Sequence, residues 1–182
     1  MNRRLKLAAA TVLIVTAAAL GRGSATESAW EAGAAKGAIT PSEPMWRAGY
    51  AARTHPAEGK LTELWAKALV LEDRDGNRGV VLTLDLVGID RMTSQAVCER
   101  LAQNHGLQRS EIVLSTSHTH SGPVVGRNLI SMYSLDDENH RLIHEYTEFL
   151  IDSIVKVTAE AFENLAPAIV QHGSCLLSTS PR

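Results

Sequence analysis

Seven residues, Ser117-His118-Thr119-His120-Ser121-Gly122-Pro123, carry the sharpest chemical proposal in the chain. They follow Glu111-Ile112-Val113-Leu114-Ser115-Thr116, an apolar run that predicts a buried strand. Side chains alternate along an extended chain, so His118 and His120 are expected on the same side of a strand end that Gly122-Pro123 terminates. Two imidazoles placed this way could supply two of the three protein ligands that catalytic zinc usually takes, or one ligand and a general acid/base. A divalent ion there would bring the pKa of its water toward neutrality and provide a hydroxide nucleophile. The backbone N–H groups of Ser121 and Gly122 could face an oxyanion. Two histidines after a buried strand bring no packing advantage, which favours chemistry.

Other His-x-His arrangements fit less well. The metallo-β-lactamase type continues as His-x-His-x-Asp-His, whereas Ser121-Gly122-Pro123 follows here. Barrel amidohydrolases carry the pair after their first strand, and here earlier strands precede it. Ser121 lacks the Gly-x-Ser-x-Gly frame of a nucleophile elbow. His140 and His144 have the i, i+4 spacing that can bind metal on a helix, but without a His-Glu-x-x-His glutamate and at a solvated helix start. His55, His105 and His172 read as ordinary polar residues.

The elements that must position the motif follow from periodicity. Residues 34–40 predict a short strand ended by Pro41, and 41–60, rich in Pro, Gly and charge, a long loop of the kind that often carries function. Residues 66–72 and 79–86 predict two strands joined by the turn-forming Asp73-Arg74-Asp75-Gly76-Asn77, hence a hairpin. Asp90 can cap a helix over 91–105 that Gly106 stops, with Met92, Ala96, Val97, Leu101 and Ala102 near helical spacing. That helix joins two strands as in a βαβ unit. After a loop over 124–136, a long helix is expected over 137–164. Its Leu142, Tyr146, Phe149, Leu150, Ile154, Val157 and Ala161 form one buried face, Pro167 ends it, and a further strand begins at 168–171. The order argues for an α/β fold: a mixed sheet with packed helices.

Residues 1–25 read as a signal peptide. Arg3, Arg4 and Lys6 form a basic head, Leu7 to Leu20 is apolar, and Gly23-Ser24-Ala25 is a plausible cleavage site. The apolar run is shorter than the roughly 20 residues that span a bilayer. A secreted or periplasmic location is therefore expected. Removing the leader takes away Arg3, Arg4, Lys6 and Arg22 and no acid, which moves the net charge from −2 to −6. Such an acidic chain is a poor nucleic-acid binder. Residues 26–173 suit one domain or part of one. The tail 174–182 fits nothing before it and reads as non-native, or as the point where a reading frame was cut. Cys98 falls in a predicted helix, where a small buried apolar residue is expected in preference to a disulfide with Cys175.

Taken together, the Ser117–Pro123 motif resembles the signature of the neutral/alkaline non-lysosomal ceramidase family. Gly33-Ala34-Ala35-Lys36-Gly37-Ala38-Ile39-Thr40-Pro41 is similar to the family's opening Ala-Lys-x-Asp-Ile-Thr-Pro, with Ala38 where Asp is usual. Met45-Trp46-Arg47-Ala48-Gly49-Tyr50 resembles its Met-x-Gly-Tyr segment, and Ala66–Leu71 and Leu82–Asp85 resemble its next two strands. Val124-Val125-Gly126 replaces the usual glycine-rich continuation. The resemblance spans about residues 33–172 and implies the incomplete N-terminal portion of a larger catalytic domain. It further implies a secreted, zinc-dependent amidase acting on the N-acyl bond of ceramide or a related lipid amide, meeting the membrane surface through that substrate. By the resemblance His118 binds zinc and His120, beside the metal, contacts substrate or helps transfer protons. The family's other ligands, a histidine, a glutamate and a tyrosine, are expected beyond residue 182, so the fragment alone is expected to be inactive. The alternative is a non-catalytic secreted binding domain of the same fold.

Overall fold

The computed structural model describes residues 29–171 and Gly173. The expected leader, His172, the 174–182 tail and any pairing of Cys175 lie outside the described residues.

Five strands form one sheet: β1 (Trp30–Ala38), β2 (Trp65–Asp73), β3 (Arg78–Leu84), β4 (Ile112–Thr116) and β5 (Ala166–Ala168). Their order is β4-β3-β2-β1-β5. The β3–β4 pair is parallel and the others are antiparallel, so the sheet is mixed as expected. The β2–β3 turn closes on Asp73, whose Oδ1 accepts the N–H groups of Asp75 and Asn77 at 2.9 and 2.8 Å. Gly76 takes the left-handed conformation there, φ 80°.

Helix α1 (Arg91–His105) connects the parallel strands. Asp90 Oδ1 accepts the Thr93 N–H at 2.8 Å, and Gly106, at φ 67°, returns its own N–H to Ala102 O. Both ends fall where the capping residues put them. The helix buries Thr93, Val97, Cys98 and Leu101, while Met92 is exposed. Cys98 is a free, buried thiol whose pKa burial pushes up.

Helix α2 (Asp137–Glu163) packs on β1 and β2. Its buried Tyr146, Leu150, Ile154, Val157 and Ala161 join Ala68, Val70, Val80, Leu82 and Leu84 of the sheet in the core. Burying a side chain such as Leu150 or Ile154 contributes about 1.5–3 kcal/mol. Phe149, expected in this face, is instead 45% exposed beside Tyr146. Two glycines let the helix lie close. A Cβ on Gly33 would sit 2.0 Å from Ala161 O, and one on Gly37 2.6 Å from Val157 Cγ2. The buried Tyr146 hydroxyl donates to Ile39 O at 2.7 Å, tying the helix to the end of β1.

Strand limits differ from the periodicity reading because neighbours set them. The β1 ladder runs from Trp30 opposite Asp73 to Ala38 opposite Trp65, where β2 begins. Strand β3 stops at Leu84 because Asp85 turns back. Its backbone N–H donates to Trp65 O and its side-chain Oδ2 accepts the Trp65 N–H, each at 3.0 Å. Pro167 does not end α2, which stops at Glu163 with Asn164 as its cap. It lies in the edge strand β5 opposite Glu31, a place where a missing N–H is tolerated. That strand occupies Ala166–Ala168 in place of 168–171.

Candidate functional site

Parallel pairing places the carboxyl ends of β3 and β4 side by side, Leu84 opposite Thr116. The two exits remain in contact. Ser117 N donates to Leu84 O at 3.0 Å, and the His118 ring nitrogen Nδ1 lies 2.9 Å from Val87 O. A crevice outside the carboxyl ends of parallel strands is a common place for a ligand.

The two histidines do come together, for a different reason from strand alternation. The strand stops at Thr116, and His118 adopts the left-handed conformation, φ 57°. This bend, uncommon for a residue bearing a Cβ, swings the chain so that the His118 and His120 ring centroids lie 5.0 Å apart at 65°. His118 is exposed at the surface and His120 is half-buried.

The neighbours assign opposite tautomers to the two rings. A carbonyl only accepts, so His118 carries its proton on Nδ1, bonded to Val87 O, and keeps a lone pair on Nε2. That is the form in which a histidine binds a cation, with its orientation held from behind. His120 Nδ1 is buried without a hydrogen-bond partner. A buried N–H without an acceptor is harder to accommodate than a bare lone pair, so the proton belongs on Nε2 and the ring is a donor there. His118 thus suits a zinc ligand and His120 a proton donor. Among the described residues no group of three or more His, Cys, Asp or Glu could hold a metal ion. His118 therefore fits as one member of a ligand set, not as a complete one.

Sequence reasoning missed what covers His120. The segment 46–53 folds over it. Gly49, at φ 111°, lies so near that a Cβ would be 2.4 Å from His120 Cγ. The Tyr50 ring meets the His120 ring edge-on at 4.5 Å, and Arg53 Nη2 donates to His120 O at 2.5 Å. Gly49 N donates to the Tyr133 hydroxyl at 2.7 Å, and Tyr133 packs on Trp46. Backbone bonds Ala48 N to Gly122 O and Val124 N to Trp46 O, each 2.9 Å, fasten this segment to the end of the motif. The Met-x-Gly-Tyr similarity was the one available signal for Gly49 and Tyr50. Nothing local marked Arg53 or Tyr133.

Ser121 is exposed, and its backbone N–H points to Thr119 Oγ1 at 3.3 Å, so its amide is engaged within the loop and does not face an oxyanion. Beside it opens a cavity of about 470 Å3 whose walls include Met45, Arg47, Leu61, Leu64, Ser121 and Pro123. Much of the expected 41–60 loop forms this wall. His140 and His144 border a separate groove between α1 and α2, both exposed. His105 stacks on Phe162 at 4.5 Å, with its pKa lowered by burial and by Arg78. His55 is in the loop, with Nδ1 2.9 Å from Pro56 O.

Comparison with known proteins adds the family. The sequence profile described as neutral/alkaline non-lysosomal ceramidase, N-terminal, matches residues 30–180. Neutral ceramidase 3 of Arabidopsis thaliana is 27% identical over 132 residues, 71% of this chain and 18% of that protein. The crystal structure of the neutral ceramidase from Pseudomonas aeruginosa superposes with a TM-score of 0.63 at 25% identity, over 77% of this chain and 22% of that one. A ceramidase complexed with C2 gives 0.62 at 25% identity, with the same coverage. The chain thus spans about a fifth of the length of these relatives. With a mixed sheet that brings His118 and His120 together at its carboxyl end, and a profile match over most of its length, the chain belongs to the neutral/alkaline non-lysosomal ceramidase family.

Proposed function

We propose that this chain contributes to a zinc-dependent amidohydrolase that cleaves the N-acyl bond of ceramide or a related lipid amide, in a secreted or periplasmic protein. One observation carries the reading: the two imidazoles lie 5.0 Å apart, one held by Val87 O so that Nε2 is left for a cation. Bound zinc would supply Lewis acidity and a water acidified toward neutrality.

The remaining work falls to the chain itself. His118 would hold the ion through Nε2, and the Val87 carbonyl fixes the ring's tautomer and direction. His120 would present its Nε2–H to the amide, hydrogen-bonding the carbonyl oxygen or delivering a proton to the departing amine. The cavity beside Ser121, walled by Met45, Leu61 and Leu64, suits a hydrocarbon segment of the substrate.

The test has two arms. The purified 182-residue chain is expected to hold zinc weakly and to release little fatty acid from N-acyl-sphingosine, because the described residues provide too few donors. The product of a full-length gene carrying this chain is expected to turn the lipid over. There His118→Ala should lose zinc, while His120→Ala should keep zinc and lose most of its rate, about 100-fold or more. Robust turnover by the 182-residue chain alone would overturn the missing-ligand argument. A full-length product that binds zinc but cleaves no lipid amide would overturn the assignment.

A further inference from the structure

We propose that Arg53, acting with Tyr50, is a positioning residue for His120, and that its role is to fix the histidine and not the loop that carries it. The proposal rests on the reading that His120 acts on substrate. Arg53 grips the backbone of His120 through the 2.5 Å bond from Nη2 to its carbonyl. Its guanidinium also lies 5.2 Å from the centroid of the Tyr50 ring, which in turn meets the imidazole of His120. One side chain therefore holds the residue twice, once at the carbonyl and once through the aromatic ring. Arginine suits both contacts, because its charge is permanent and its plane can stack on a ring while its edge donates.

The loop itself is anchored without this device. Ala48 to Gly122 and Val124 to Trp46 fasten the segment by backbone bonds, and Gly49 is tied to Tyr133. Tyr50 is 58% exposed, so it adds little to the core and what it covers is His120. Buried nitrogens also remain unpartnered at both ends of the contact, Nε of Arg53 and Nδ1 of His120. A contact kept only for stability would be expected to satisfy them. The left-handed bend at His118 makes a restraint necessary, since a loop turned through an unfavourable backbone conformation holds its shape only when its surroundings impose it.

Long-range proton–nitrogen spectra of the imidazoles, recorded on the full 182-residue chain at one fixed pH, read the positioning directly. Wild type should give His118 as the Nδ1–H form and His120 as the Nε2–H form. In Arg53→Ala the His120 nitrogens should broaden away or average together while the His118 pair stays in place, and Arg53→Lys, which keeps a donor, should restore a resolved His120. In the full-length product, Arg53→Ala should lower kcat by about 10- to 100-fold with KM nearly unchanged, and Arg53→Lys should recover part of that loss. Unchanged His120 signals in Arg53→Ala would overturn the proposal, as would equal disturbance of both histidines with a drop in Tm. A wild-type protein that cleaves no lipid amide would count against the proposed function alone, because the spectra report on His120 regardless.

Discussion

Two of the close approaches that glycine permits in this molecule, one under α2 and one under His120, have surroundings that could hardly differ more. Beneath α2, Gly33 and Gly37 are ordinary strand residues whose missing Cβ atoms let a helix lie against the sheet. The nearby hydroxyl of Tyr146 is buried and donates to Ile39 O, and the contact is one of fold. Beneath His120, Gly49 sits at φ 111°, next to a left-handed His118 and a group of buried nitrogens without partners, in Trp46, Arg47, Arg53 and His120. Close packing that satisfies every polar group serves stability. Close packing that leaves polar groups wanting and bends the backbone marks the place where the chain was shaped for something else.

Breaking each approach should separate the two roles. Gly33→Val is expected to have the largest effect, about 3 kcal/mol or more, since α2 must move from a backbone atom and cannot simply shift a side chain. Urea unfolding should show an early midpoint or no folded baseline, and a loss under 1 kcal/mol would mean the helix seat is softer than described. Gly49→Ala should cost less, about 1–2 kcal/mol for a conformation a Cβ resists. Yet a displaced His120 should reduce turnover of the full-length product by about 100-fold. Stability lost with full activity kept would erase the contrast.

The smallest effect sharpens the boundary between the regions. Asp90 caps α1 and also accepts the Arg127 N–H at 2.7 Å, just beyond the motif. Burial opposes its ionisation, but the Thr93 N–H, the Thr93 hydroxyl and the Arg127 N–H outweigh that and hold its pKa below the ordinary 3.8. A carboxyl lowered in the folded state lends stability that is complete above the unfolded pKa and fades as pH falls through the folded one. Asp90→Ala should therefore cost about 1 kcal/mol at neutral pH. The difference from wild type should shrink below about pH 4. A gap that stays constant down to pH 2 would remove the carboxylate from the account.

What the sequence made legible follows the range of the forces involved. Helix α1 could be read to the residue because Asp90 and Gly106 act on their own neighbours. The strand ends could not, because Ala38 and Leu84 are final residues only by virtue of where β2 begins at Trp65. The histidine pair was found by its spacing, but alternation along a strand was the wrong cause, and a left-handed turn after Thr116 is the right one. The cover over His120 was out of reach: Arg53 and His120 are 67 positions apart, and no local signal joins them.

The β1–β5 pairing has a kinetic consequence. Trp30 finds its second neighbour in Ala168, close to the other end of the described chain, and Gly33 is packed by Ala161 and Leu165. Until α2 and β5 exist, β1 has one open flank and no helix above it. Contacts of such sequence separation form late, because a long loop must be closed before they contribute. A nascent chain therefore carries an unprotected flank of β1 until Ala168 has emerged, and for that interval chaperone binding or sticking to another copy competes with folding.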